Sequence, residues 1–168
     1  MSVTRTIGPG DGIKPYRCDQ SFLVRSYKEG VSQTFIVGDI LQRNTASGHE
    51  DSVVEAVTHP NSGVVGVAGE AASGTTDNLV SVWEAKPGSE FIGVIDNGTA
   101  LARTHQDLQC GVTYDGTNKI WRVDTTNTTQ KTVVITDIST DVEPNGIGTV
   151  NARVAFKFLA AASLPFGV

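Results

Sequence analysis

The segment from residue 108 to residue 138, LQCGVTYDGTNKIWRVDTTNTTQKTVVITDI, constrains the fold more than any other part of the chain. Cys110, Val112 and Tyr114 alternate with Gly111 and Thr113, the period of two that sends successive side chains to opposite faces of a strand. Asp115-Gly116 follows, a pair that tolerates positive φ in a tight turn, and Ile120-Trp121-Arg122-Val123-Asp124 then alternates again. Trp121 and Val123 share one face, while Arg122 and Asp124 share the other, which is expected to be wet. Beyond a polar, β-branched link, Thr132-Val133-Val134-Ile135-Thr136 has three consecutive apolar residues, as a strand covered on both faces does. The segment predicts three antiparallel strands joined by two turns.

The rest of the chain extends this pattern. Strands are expected over Phe22-Leu23-Val24-Arg25-Ser26-Tyr27, Thr34-Phe35-Ile36-Val37, Ile40-Leu41-Gln42-Arg43, residues 52–57, 79–85 and 90–95, and residues 150–158. The turns between them hold Gly30, Gly38-Asp39, His59-Pro60-Asn61 and Pro87-Gly88. Gly63, Gly66 and Gly69 recur every third residue with Val and Ala between, which predicts a buried strand that another backbone or a ring approaches closely. A short helical turn is expected with Thr104 as its N-cap. The fold class is all-β, an antiparallel β-barrel or β-sandwich, with residues 21–168 as a single domain. Residues 1–20 are rich in Gly and Pro and predict an extended arm that orders against a partner or the body, with Ile7, Ile13 and Tyr16 as its docking side chains. The apolar tail, residues 159–168, is expected to cover itself against the body or a neighbouring subunit.

Several chemistries find no foothold in these residues. A net charge of -5, with 13 Lys and Arg against 18 Asp and Glu, opposes sequence-independent binding to nucleic acid. Cys18 and Cys110 form no CxxC pair and are expected to be separate buried thiols. No apolar run approaches the ~20 residues a membrane helix needs, and the N-terminus lacks a secretion signal, so a cytosol-like compartment is expected. His49, His59 and His105 have no ligand spacing, so no metal and no cofactor is expected. The glycines run G-x-x-G-x-x-G, without the pattern of a dinucleotide turn or a phosphate loop, and no G-x-S-x-G occurs. Gly93-Val94-Ile95-Asp96 is similar to the G-x-I-D motif of trimeric deoxyuridine triphosphatases, but Asn97-Gly98-Thr99 departs from that family's Tyr-bearing continuation. No catalytic residue is assigned, and the chain is expected not to be an enzyme.

Gly63-Val64-Val65-Gly66-Val67-Ala68, then Val82-Trp83-Glu84-Ala85-Lys86-Pro87-Gly88-Ser89-Glu90-Phe91, Gly111-Val112-Thr113-Tyr114, Trp121-Arg122-Val123-Asp124 and the closing 150–158 strand form one pattern. Read together, residues 35–158 resemble the small head decoration, or capsid cement, proteins of tailed bacteriophages. The resemblance implies a non-enzymatic virion protein, assembled in the host cytoplasm, that binds the outer surface of the major capsid protein lattice and stabilises the shell against DNA pressure. It also implies self-association, often as a homotrimer, and no direct contact with nucleic acid or membrane. In that setting the arm, through Ile7, Ile13 and Tyr16, is expected to lie on the capsid by strand addition, and Leu164 and Phe166 to anchor a subunit interface. The alternative is a phage tail or fibre module that binds carbohydrate through Trp83, Trp121 and Tyr114.

Overall fold

The computed structural model describes residues 3–7, 9–18, 24–57, 59–96, 98–160 and 162–163. Among these the chain is all-β: β1 (Lys14–Cys18), β2 (Val24–Glu29), β3 (Ile40–Arg43), β4 (Ser52–Glu55), β5 (Val64–Ala68), β6 (Leu79–Glu84), β7 (Ser89–Ile95), β8 (Gln109–Asp115), β9 (Ile120–Asp124), β10 (Val133–Asp137) and β11 (Arg153–Phe158). They close into two barrels. In the first the order is β2-β4-β3-β5-β6 and back to β2. In the second it is β7-β9-β8-β10-β11 and back to β7, with β1 added along the outer edge of β7.

The two barrels follow one plan. In each, the first strand pairs in parallel with the third, and the other four pairings are antiparallel and join the same positions in the order. Backbone bonds just past the first strand repeat as well. Glu29 N–H donates to Asn78 O at 2.7 Å and Gly30 N–H to Val53 O at 2.9 Å; Ile95 N–H donates to Ala152 O and Asp96 N–H to Val123 O, both at 2.9 Å. These bonds make Glu29 the counterpart of Ile95, and hence residues 24–28 the counterparts of residues 90–94.

Alternation builds both interiors. On β6, Val80, Val82 and Glu84 are buried while Leu79 is exposed and Ser81 and Trp83 are half-buried. The first barrel is filled by Tyr27, Phe35, Leu41, Val53, Val65, Ala68, Val80 and Val82. The larger core belongs to the second barrel, with Phe91, Trp121, Val123, Ile135, Val154 and Phe156, and it also takes in Ile40, Ala56, Val64, Val67 and Ala85 from the first. Each such aliphatic or aromatic side chain contributes about 2 kcal/mol when fully withdrawn from water, so this common core holds the barrels to one another. It also explains why β5 is buried at every residue. At Gly66 a Cβ would stand 2.1 Å from the carbonyl oxygen of Trp83 on β6, which is the close backbone approach the glycine spacing predicts.

Elsewhere the structure corrects local expectations. Residues 34–37 form no strand: Phe35 turns inward to plug the first barrel, while Ile36 and Val37 ride a turn closed by Asp39 N–H donating to Ile36 O at 3.1 Å. β10 pairs with β8 and not with β9, so the three strands of residues 108–138 lie in the order β9-β8-β10. Arg122 is not on a wet face but 2% exposed, its guanidinium drawn in to Asp115, to the Ile95 carbonyl at the end of β7 and to the Asn151 side chain. Positive φ falls on Lys119 rather than Gly116 in the β8–β9 turn, whose N–H groups at Thr117 and Asn118 donate to Asp115 Oδ1. The helical turn spans Arg103–His105, and Ala102 rather than Thr104 stands at its N-cap, where His105 Nδ1 accepts from the Ala102 N–H at 3.3 Å.

The segment expected to be an arm lies against the body, the second of the two expected docking places. Its residues 14–18 are β1, paired with β7 from Lys14 opposite Ile92 to Cys18 opposite Ser89. Thr4 forms a parallel bridge with Val150, and Arg5 N–H donates to Val150 O at 3.0 Å. Gly-Pro composition signals a segment without a steady period, and here that segment is stitched to its own second barrel at both ends.

Candidate functional site

An unexplained buried polar group would mark chemistry, and the buried carboxylates are explained by their partners. Glu29 is 0% exposed, and its carboxylate accepts from Ser73 N–H at 2.8 Å, Ser73 Oγ at 2.9 Å and Gly74 N–H at 2.7 Å. Glu143 is held likewise by Asn145 and by the Arg153 N–H at 2.9 Å. Asp96, the acidic residue of the G-x-I-D tetrapeptide, accepts from Thr125 N–H at 2.8 Å, Thr125 Oγ1 at 2.6 Å and Thr99 Oγ1. These three carboxylates tie loops to barrel ends.

Asp39 and Asp115 titrate far from the ordinary carboxyl value. Burial pushes Asp39 up to about 6, against the pull of the Ile36 N–H bond and with a further push from the Glu55 charge. Burial alone would raise Asp115 too, but the Asn118 side-chain and backbone bonds and the Arg122 guanidinium outweigh it and hold the carboxyl down at about 2. Tyr27, buried and bonded to Glu84, is held well above the ordinary phenol range. Among the described residues no three of His, Cys, Asp and Glu converge to hold a metal ion.

A cleft of about 520 Å³ lies beside β3, walled by Gln42, Arg43 and Asn44 on one side and His59, Pro60 and Asn61 on the other. Its second wall is pinned to the second barrel: Thr132 Oγ1 donates to Pro60 O, and His59 Nδ1 lies 3.2 Å from Asn127 Nδ2. His59 has a φ of 56° directly before a proline, where an extended backbone is favoured, so the rest of this loop holds it in place. Adjacent loop residues alone gave no sign of this cleft in the sequence; it is made where residues 59–63 lie against the end of β3, with Arg43 N–H donating to Gly63 O at 2.8 Å.

The expected docking residues separate. Ile13 is 0% exposed in the common core and is not available to a partner pocket in this structure. Ile7 and Tyr16 are half-buried, and Tyr16 is covered by Arg17, whose Cζ lies 4.5 Å from the ring centroid. Leu164 and Phe166 lie outside the described residues. Of the aromatics considered for sugar stacking, Trp121 is 1% exposed and packs 5.7 Å from Tyr114, and Trp83 leans on the common core.

The fold and its surface define the class as an all-β double barrel whose buried ionisable groups are mostly structural. Compared with family models, with curated proteins and with solved structures, the chain finds no match.

Proposed function

We propose that the chain is a structural virion protein, a head decoration or cement protein that sits on the outer surface of an assembled major capsid protein lattice and stabilises the shell against DNA pressure. The observation that carries this reading is the repetition of one closed barrel around a common core. Closure removes most strand edges, and a body packed this way transmits load without hinging. The resemblance of residues 35–158 to cement proteins supports it from the sequence. Repetition over a lattice turns weak single contacts into high occupancy, so no large interface per copy is required. A homotrimer, with Leu164 and Phe166 as subunit anchors, belongs to the same proposal.

The test is co-sedimentation with empty expanded shells of the virus that encodes the chain. Saturable binding and a rise in the shells' melting temperature are expected. Shells that leave the protein in the supernatant would sink the reading. Sedimentation equilibrium of the free protein checks the trimer.

The cleft beside β3 favours a second reading, a carbohydrate-binding module of a tail or fibre. Gln42, Asn44 and Asn61 offer amides to sugar hydroxyls, next to Val57, which is 62% exposed, and Pro60. Glycan-array binding lost on Asn61→Ala would favour it.

A further inference from the structure

In the second barrel, β7 carries two neighbours along one edge: β9 beside Val94 and Ile95, and β1 beside residues 89–92. The first barrel repeats only half of this. β4 lies beside Lys28 and Glu29, and among the described residues nothing pairs with the same edge of β2 along residues 24–26. The parity of the backbone fixes which groups are involved. Gly30 N–H points to β4 and Glu29 N–H to Asn78 on the β6 side, so the N–H and C=O groups of Val24 and Ser26 point to the vacant edge. Their counterparts in the second barrel are Glu90 and Ile92, which face Arg17 and Lys14 of β1. Exposure agrees: Val24 is 51% exposed, and Arg25 and Ser26 are exposed, whereas Phe91, the counterpart of Arg25, is 0% exposed.

We propose that this edge of β2 is a docking site for one extended strand of another protein, laid antiparallel as β1 is on β7, with a carboxylate opposite Arg25 and an apolar side chain beside Val24. Charge selects the occupant. The buried Glu84 is shared by two cations, Arg25 at 3.6 Å and Lys86 at 2.9 Å, which leaves a local surplus of positive charge on a chain of net charge -5. A second copy's β2 would set Arg25 against Arg25, and a second copy's β1 would bring Lys14 and Arg17 to the same place; like charges facing across a strand pair are unfavourable. The site does not depend on the partner's being a viral shell, but such a shell protein is the occupant if the proposed function holds.

The probe is a capped peptide, Thr-Val-Glu-Val-Thr, with Thr-Val-Lys-Val-Thr as its control, titrated into isotope-labelled protein. The Glu peptide should shift the Val24 and Ser26 amides and bind about fivefold tighter than the Lys peptide. Ser26→Pro removes the outward N–H without touching the β6 ladder, and it should abolish the shifts while the amide spectrum of the second barrel stays unchanged. The same variant should lose about tenfold in occupancy on shells. Unmoved Val24 and Ser26 amides, equal affinity for both peptides, or full binding by Ser26→Pro would overturn the inference. So would hydrogen-exchange protection of those amides in the free protein: if it depends on concentration the occupant is a second copy, and if it is lost on deleting residues 164–168 it is the chain's own tail. Peptide binding at β2 with no binding to shells would leave the edge standing and sink the viral reading alone.

Discussion

Arg122 Nε stands 2.7 Å from Asp115 Oδ2, and the same guanidinium donates through Nη1 to Ile95 O at 3.0 Å and Asn151 Oδ1 at 3.2 Å. One side chain thus ties the β8–β9 turn, the end of β7 and the loop before β11. Removing one member of a buried ion pair leaves the other uncompensated, at a cost of about 3–5 kcal/mol. Arg122→Met should lose stability in that range by urea unfolding. Asp115→Asn should lose less, because the amide oxygen still accepts from Asn118 and two of the guanidinium's acceptors remain.

The displaced carboxyls of Asp39 and Asp115 bias stability in opposite directions with pH. Asp39 has a folded value of about 6 against an ordinary 3.8, so its contribution is complete below about pH 4 and lost as pH rises through 6. Two pH units set a ceiling of about 3 kcal/mol on that loss. Asp115 has a folded value of about 2, so its contribution is present above about pH 4 and lost as pH falls toward 2. Thermal unfolding should therefore show these two groups jointly most favourable near about pH 4, with their contribution falling as pH rises toward 6 and as it drops toward 2. Asp39→Asn should melt higher than the natural protein at about pH 8, and the difference should vanish near pH 4. A variant less stable than the natural protein at pH 8 would contradict the assignment.

Gly66 has no room for even a methyl group. The obstacle is the Trp83 carbonyl oxygen, at 2.1 Å from an added Cβ, and the β5–β6 ladder holds that backbone in place. Gly66→Ala should cost about 3 kcal/mol, at the upper end of overpacking, and lower the yield of folded protein. Gly116, with nothing near its Cβ position and no positive φ, should accept Ala with little change.

Strands were legible where alternation was strict. The pattern around Val80, Val82 and Trp83 and the glycine spacing at Gly66 both give the observed elements, because a period of two and a missing Cβ are local properties. What the letters do not carry is pairing across distance. Arg122 reads as solvent-facing because alternation says which face a residue shares, not what later covers that face. Phe35 sits in an apolar run that looks like a strand, yet one inward ring and the Asp39 turn satisfy it better. The edge at Ser26, vacant among the described residues, is visible only against its occupied counterpart at Ile92, since the resemblance between barrels lies in pairing order and not in an obvious repeat of residues.

The two thiols should differ sharply in reactivity. Cys110 is 0% exposed on β8, and burial, with smaller pushes from Asp124 and Asp96, raises its thiol to about 12. At about pH 8 its thiolate fraction is then on the order of one in ten thousand, and the reagent cannot reach it while the barrel is closed. Cys18 lies at the end of β1, half-buried, with its Sγ 3.7 Å from Ser89 Oγ. Aromatic disulfide reagents should label Cys18 in a fast phase that Cys18→Ser removes. Cys110 should react only at the rate of unfolding, and denaturant should accelerate that phase. Rapid labelling of Cys110 in the Cys18→Ser protein under native conditions would mean that the second barrel opens along β8 far more readily than its packing allows.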